Sequence, residues 1–449
     1  MHDSGEPRGV QASSAHTLGV VGGGQLGRML AEAAAPLGVD VVVVDPTPGC
    51  PASRVADQIE GSFDDAAAID ELARRSDAVT VEIELADPDA LAEAAATHDT
   101  PVHPDPETLR TIRDKLVQTR TFDEAGVPLP DYRAVETVDD LSEAVATFGR
   151  VMCKARTGGY DGRGNVPVGP DDDPAERLAA VGADTDGAGA VAEAFVDFDR
   201  ELSVIGVVGD GEVRTYPPTE TIHEDEILRE TLVPARTSDA VAERARAVAR
   251  DVLEVLEGRG VYGIELFETS DGEILLNEVA PRPHNSGHWS IEGAPVSQFE
   301  HHVRAVLGLP LGETEPRAPT ATANLLGGEA LATVADGRPA VVGFDTGAAA
   351  DVRANGAGDG TGESAADTRD SENGPDGSVD DTGVVLRGVD DVLAASDAGF
   401  HWYGKRAVYP LRKVGHVTVS RSDLPEAVLS EARELADGLR FDPVAEADE

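Results

Sequence analysis

Apolar and polar positions along the first hundred residues follow the pattern of a parallel α/β unit. Leu18–Val21 is an unbroken apolar run that predicts a buried strand, Gly22–Gly24 a turn, and Gln25–Leu37 a helix. Val39–Val44 predicts a second strand, buried on both faces and ending at Asp45. A helix over Asp65–Arg74 and a strand over Ala78–Val81 continue the unit to about residue 112. From there to about residue 310, short apolar stretches alternate with Gly-rich turns and a few helical ones, which predicts an α+β region. A last part, about 318–345 and 384–440, reads as a small β-rich domain.

Two stretches carry no such pattern. Residues 1–15 are polar and are expected to be disordered. Between Gly347 and Asp381 there is no aromatic residue, and Val352 and Val379 are the only large aliphatics. Gly, Asp, Ser and Ala cannot bury enough surface to order that segment, so 347–381 is expected to be a flexible acidic insertion in the last domain, with a functional binding tail as the alternative.

Composition narrows the choice of partners. A length of 449 residues allows two to four domains, and 41% hydrophobic content suffices for their cores. A net charge of −47 excludes a general electrostatic grip on nucleic acid or on an anionic membrane. The charge is spread along the chain, as in proteins that stay soluble in concentrated salt. No apolar run approaches the roughly 20 residues of a membrane span, and no secretory signal is evident. Cys50 and Cys153 form no metal or redox spacing, so a reduced cytoplasm fits and a single disulfide is the alternative. Of the 37 Lys and Arg only four are lysines, Lys115, Lys154, Lys405 and Lys413. In a chain that has given up Lys as a surface charge, these are expected to mark places where a compact ammonium meets an anion; chance survival of ordinary surface lysines is the alternative.

Five segments carry candidate chemistry. Gly22-Gly23-Gly24-Gln25-Leu26-Gly27, with Asp45 beyond, satisfies the dinucleotide fingerprint, but bare amides at a helix N-terminus suit a phosphate-bearing substrate equally. Lys154-Ala155-Arg156-Thr157-Gly158-Gly159-Tyr160-Asp161-Gly162-Arg163-Gly164-Asn165 follows an apolar strand, Val151–Cys153, and its glycines let the backbone fold over a polyphosphate. No G-K-[ST] ends it, so it is not a Walker loop. Strands Val261–Phe267 and Glu273–Val279 flank Ser270-Asp271-Gly272. If Asp271 and Gly272 form a two-residue turn, Glu265 falls opposite Glu278 on one face. Such a pair repels itself unless a cation lies between, which points to Mg²⁺; a solvated hairpin face is the alternative. After it, Arg282-Pro283-His284-Asn285-Ser286-Gly287-His288 reads as a polar wall stiffened by proline; a polar surface loop is the alternative. Finally Lys405, Arg406, Arg412 and Lys413 gather four cations in nine residues, a candidate phosphomonoester site or a patch offsetting nearby acids.

With GGGQLGRML, RTGGYDGRGN, YPPTETIHEDEILRETLVPAR, NEVAPRPHNSGHW and KRAVYPLRKVGH, the chain resembles the ATP-grasp superfamily, and within it the N5-carboxyaminoimidazole ribonucleotide synthetases. The resemblance covers about residues 17–345 and 384–420. It implies a Rossmann-like pre-ATP-grasp domain (16–112), an ATP-grasp domain (113–312, lid about 117–195) and a small β-rich C-terminal domain (318–440). It also implies a cytoplasmic ligase, expected to be a homodimer. That ligase would join bicarbonate to 5-aminoimidazole ribonucleotide as ATP becomes ADP and phosphate, in purine biosynthesis. By motif, Lys115, Lys154 and Gly159–Asn165 would hold the ATP phosphates. Glu193, Ala194, Phe195 and Val196 would form the adenine hinge, with Glu201 on the ribose and His223 a further contact. Glu265 and Glu278, beside Asn277, would hold Mg²⁺. Tyr160, Asp161 and Arg163 would meet the aminoimidazole, while Arg282, His284 and Asn285 face bicarbonate and Lys405 and Arg412 clamp the ribotide phosphate. The implied catalytic set is Arg282, His284, Asn285 and Lys154.

Three other readings stand beside this one. A formate-dependent ribonucleotide transformylase would share Glu265 and Glu278 but lack the His284–His288 wall. A dehydrogenase would rest on the first glycine cluster alone. A non-catalytic scaffold would bind ATP without turnover.

Overall fold

The computed structural model describes residues 16–158, 164–182, 189–328, 339–344, 380–405 and 407–443. The chain divides into two compact units, Met1–Arg317 and Ala318–Glu449. The expected disordered N-terminus, residues 159–163 of the second glycine cluster, Arg406 and nearly all of the 347–381 insertion lie outside the described residues.

The first unit opens with β1 (His16–Val21), α1 (Gln25–Ala34), β2 (Val39–Asp45), β3 (Asp57–Glu60), α2 (Ala66–Arg75) and β4 (Ala78–Val81). The strands form an all-parallel sheet in the order β3-β2-β1-β4. Val41–Val44 are all buried, as the continuous apolar run requires of a strand covered on both faces. The α-helix predicted over Gln25–Leu37 stops at Ala34 and finishes as a 3₁₀ turn, since Pro36 has no N–H to continue the ladder. Asp65 is not in α2 but caps it, accepting the amides of Ala67 and Ala68. Next come α3 (Pro88–His98), α4 (Pro106–Arg113) and α5 (Lys115–Glu124), each entered through a capping aspartate.

A small antiparallel sheet follows, from β5 (Tyr132–Val135), α6 (Val138–Phe148), β6 (Val151–Ala155), β7 (Asn165–Val168), α7 (Pro174–Val181) and β8 (Ala190–Ala194), in the order β5-β8-β6-β7. Its own core joins Val135, Leu141, Val151, Cys153 and Leu178. Phe122 and Val127 instead pack into the core of the main sheet. Within the span of about 117–195 expected for the lid, the small sheet itself begins with β5 at Tyr132.

The main sheet is built from β9 (Phe198–Val208), β10 (Val213–Thr215), β11 (Thr219–Glu224), β12 (Ile227–Val233), β13 (Gly260–Thr269) and β14 (Ile274–Ala280). Its order is β14-β13-β9-β11-β12, with β10 paired to β9. Between β12 and β13 lies α8 (Asp239–Val255), which buries Val241, Ala245, Val248, Val252 and Leu253 against the sheet at the four- and three-residue spacing of one helix face. Short α9 (Ser290–Gly293) and α10 (Gln298–Val306) close the unit.

The second unit holds β15 (Thr320–Leu326), β16 (Pro339–Phe344), β17 (Asp380–Arg387), α11 (Val389–Ala394), β18 (Ala398–Trp402), β19 (Lys413–Ser420), α12 (Pro425–Gly438) and β20 (Arg440–Pro443). β15, β19 and β18 pair antiparallel, while β17 pairs parallel with β16 and antiparallel with β20. The expected β-rich domain thus also carries a 14-residue helix, whose Val428, Leu429 and Ala432 are buried. The expected insertion ends earlier than Asp381, since Asp380 and Asp381 already belong to β17.

Candidate active site

The β13–β14 hairpin carries the two glutamates, and it brings them together by a route the spacing alone does not give. The turn is not a two-residue Asp-Gly loop. Gly272 N–H donates to Thr269 O (2.9 Å) and Thr269 N–H to Glu273 O (3.0 Å), leaving Ser270, Asp271 and Gly272 as a three-residue loop. Gly272 takes φ +78°, a left-handed conformation that only glycine adopts cheaply. That loop shifts the register by one, pairing Glu268 with Ile274 and Leu266 with Leu276. A bulge then skips Asn277 and restores the pairing of Glu265 with Glu278. The expected juxtaposition is present through two departures that cancel.

The bulge decides which way Asn277 and Glu278 point. In a regular strand adjacent residues face opposite sides, yet both of these reach a lysine. Lys154 Nζ lies 3.0 Å from Asn277 Oδ1, and Lys115 Nζ lies 2.5 Å from Glu278 Oε1. Lys154, on β6, also pairs with Glu193 on β8 at 2.7 Å, with both side chains nearly buried (7% and 11% exposed). Burial pulls the Lys115 ammonium toward a lower pKa, but Glu278 outweighs it and the net shift is upward. Burial alone would raise Glu278; Lys115, then Lys154 and His284, hold it well below the usual carboxylate range. Its side chain keeps 43% exposure, so this pair is not a sealed core ion pair.

Lys115 is held at its root. As the first residue of α5 it donates its amide to Arg156 O (2.8 Å), while Asp114 caps the helix and grips Arg156 at 2.5 and 3.0 Å. The end of β6 is thereby tied to the helix that presents Lys115. Gly164 continues from the glycine loop with φ +80°, its carbonyl accepting Ala155 N–H, and Asn165 opens β7 opposite Lys154. Gly159, Tyr160, Asp161, Gly162 and Arg163 lie outside the described residues.

The expected adenine hinge leaves β8. Ala194 N–H donates to Asp131 O (2.7 Å) and Phe195 N–H to Arg150 O (2.9 Å), and the Arg150 guanidinium sits 3.8 Å over the Phe195 ring. Val196 follows, half-buried. Glu201 on β9 and His223 on β11 meet at 2.8 Å.

In the polar wall, His284 and Arg282 are each fixed by residues that no sequence motif marks. Gln298 at the start of α10 accepts His284 N–H (2.9 Å) and donates to His284 O (2.7 Å). Ser286 N–H donates to His284 Nδ1 at 3.4 Å, and in the neutral ring that leaves the proton on Nε2, 3.4 Å from Glu265 Oε1. Arg282 pairs with Glu84 at 2.8 Å. Asn285 opens the 3₁₀ turn beside them. Glu84 had one available signal: it follows β4, at the carboxyl end of a parallel strand, where open α/β sheets place ligand-binding groups.

The first glycine cluster departs from both readings offered for it. Glu82 accepts the amides of Gly24 and of Gly27 (2.6 Å for the latter), and Asp45 accepts Gly23 N–H at 3.0 Å. Asp45 thus holds the turn instead of a ribose, and a carboxylate of the chain itself sits at the helix N-terminus. The disulfide alternative fails as well. Cys50 and Cys153 are free and buried, and burial pushes their thiols up to about 11 and about 12.

Lys405 and Arg412 belong to the second unit, in the loop between β18 and β19. Arg412 Nη1 donates to Ala407 O (3.0 Å) and its guanidinium lies 5.0 Å from the Tyr409 ring centre.

Sequence comparisons match residues 15–113 to the ribonucleotide synthetase preATP-grasp domain, 120–299 to the ATP-grasp domain, and 375–429 to the phosphoribosylaminoimidazole carboxylase C-terminal domain. An N5-carboxyaminoimidazole ribonucleotide synthase of Brucella melitensis is 41% identical over 319 residues, 69% of this chain and 86% of the relative. A phosphoribosylaminoimidazole carboxylase of Ogataea methanolica is 39% identical over 324 residues, and there the match spans 70% of this chain but only 59% of the relative. Among solved structures, the Aspergillus clavatus N5-carboxyaminoimidazole synthase in complex with ADP and 5-aminoimidazole ribonucleotide is similar, with a TM-score of 0.76 and 31% identity, covering 94% of this chain and 99% of that one.

Proposed function

Because the chain belongs to the N5-carboxyaminoimidazole ribonucleotide synthase family of ATP-grasp ligases, we propose that it carboxylates the amine of 5-aminoimidazole ribonucleotide with bicarbonate at the expense of ATP. The observation that carries this is the bulged hairpin, which sets Glu265 against Glu278 and turns Asn277 and Glu278 toward Lys154 and Lys115. Two carboxylates and two ammonium groups at one place suit a polyphosphate with its metal.

The chemistry follows from these groups. Bicarbonate is a poor electrophile until ATP phosphorylates one of its oxygens, giving carboxyphosphate and ADP. Lys115 and Lys154 would neutralise charge on the phosphates as that bond forms. The donor set fits Mg²⁺, since Glu265 and Glu278 offer hard carboxylate oxygens and Glu278 already carries a cationic partner. Held there, the ion would supply further neutralisation of the phosphates. Carboxyphosphate is lost to water, so the β5–β8 sheet is assigned the part of a cover. Arg282, kept in place by Glu84, and the Nε2–H of His284 would hold the carboxyl oxygens, with Asn285 beside them. The amine then attacks the carbon, the C–O bond to phosphate breaks, and the amine proton leaves with the phosphate.

Lys405 and Arg412 are assigned the ribotide phosphate, and Glu193–Val196, Glu201 and His223 the nucleoside. Tyr160, Asp161 and Arg163 are assigned the aminoimidazole. A cytoplasmic homodimer is the accompanying proposal, checked by light scattering. No helix among the described residues is long and apolar enough to cross a membrane. The deciding assay is ADP release with each substrate omitted in turn. Release that needs both bicarbonate and aminoimidazole ribotide is expected; release supported by formate, or by ATP alone, would refute the assignment.

A further inference from the structure

One carboxylate oxygen of Glu278 is already taken by a residue of the chain itself. The Lys115 ammonium lies 2.5 Å from its Oε1, within the distance at which a divalent ion would need the same oxygen. The opposed Glu265 differs, because its facing neighbour is the His284 imidazole at 3.4 Å. We propose that Lys115 occupies the cation position on Glu278 until nucleotide phosphates draw it away, so that this chain takes up a divalent ion only together with nucleotide. The proposal rests on the metal role assigned above to Glu278.

Three features make the exchange physically simple. Lys115 is pinned at its backbone through Arg156 O and the Asp114 cap, so only its four-carbon stem has to swing. A second ammonium is in place for the incoming phosphates, since Lys154 sits on Asn277, the neighbour of Glu278. The exchange also leaves no group unpaired: the ammonium passes from carboxylate to phosphate as the divalent ion passes to carboxylate. Two cations on one carboxylate without the phosphates would repel each other.

The test uses Mn²⁺ as probe, its free hexaaqua signal followed by electron paramagnetic resonance, in molar KCl to screen the acidic surface. Wild type is expected to take up Mn²⁺ weakly alone and more tightly with ADP. Lys115→Met should take it up alone about 10- to 150-fold more tightly than wild type, the equivalent of one charged hydrogen bond. Glu278→Gln added to that variant should remove the gain, while Lys115→Arg, which keeps a cation, should stay weak. If Lys115→Met does not fold, Lys115→Gln serves for the same comparison. Equal Mn²⁺ affinity in wild type and the neutral variant, both folded by circular dichroism, overturns the proposal. Failure of the metal assignment itself looks different: Glu278→Gln would then leave uptake with ADP unchanged.

Discussion

At the scale of single residues, the scarcity of lysine proves informative. Lys115 and Lys154 both end on carboxylates in the first unit, and Lys154 does so almost out of water. Removing one partner of such a pair strands the other charge, which costs about 3–5 kcal/mol. Lys154→Met is therefore expected to lose that order of stability in urea unfolding, and Glu193→Gln in the same chain should return much of it. Independent, additive losses would show that the two do not act as a pair. Substrate kinetics separate the remaining cations. Lys405→Ala should raise the ribotide KM by roughly 10- to 150-fold, the worth of one charged hydrogen bond to phosphate, and leave the ATP KM nearly unchanged. Lys154→Ala should raise the ATP KM instead. A Lys405→Ala enzyme weakened only toward ATP would remove the C-terminal loop from the ribotide.

At the scale of elements, the β13–β14 hairpin shows how far local pattern reaches. The sequence placed both strands and the pairing of Glu265 with Glu278, but through a tighter turn than the one that forms. A Gly after Ser-Asp is compatible with a two- or a three-residue loop, and only the packing of the strands selects between them. Two changes test the compensation. Gly272→Ala forces an L residue into φ +78° beside Arg244, and should cost about 1–2 kcal/mol with little change in kcat. Deleting Asn277 should straighten β14, turn Glu278 from Lys115 and abolish ADP release in a protein that still folds. A deletion variant with normal turnover would show that the bulge does not orient the site. Gln298 and Glu84 were not legible in the same way. Glu84 acts on Arg282 far off in sequence and Gln298 on His284 from a different element, and no local period marks such a pairing.

At the scale of the whole molecule, buried histidines and surface acid set opposite responses. His302 accepts Val261 N–H on Nδ1 (3.0 Å) and donates from Nε2 to Thr80 (2.8 Å), joining β13 to β4. Burial, then the nearby His103, push its pKa down to about 3, and burial first takes His301 down to about 4. Both are neutral when folded and take up protons when unfolded at the ordinary histidine pKa of about 6.5. Their contribution is therefore complete above that value and declines as pH falls toward 4. The Tm should drop between pH 7 and pH 5, and His302→Gln should make that drop shallower. A drop as steep in the variant would assign the effect to other groups. Salt acts through the net charge of −47, whose self-repulsion is screened within about 3 Å at 1 M. Tm should rise from dilute to molar KCl; a flat response would mean that the acidic surface carries no such strain.

The sequence by itself determined the buried strands of the N-terminal sheet, because a strand covered on both faces needs an unbroken apolar run and Val41–Val44 is one. It also determined the family, since motifs such as YPPTETIHEDEILRETLVPAR and NEVAPRPHNSGHW keep their residues in order along the chain. Tertiary structure alone decided what the glycine turn holds. Gly22–Gly27 has the pattern of an anion cradle, but the anion in it is Glu82, brought from 55 to 58 residues away by the pairing of β4 with β1. The same holds for Lys115 on Glu278, separated by 163 positions. Spacing along a chain is informative over the few residues that share a strand or a helix face; beyond that, only the packed sheets decide which charges meet.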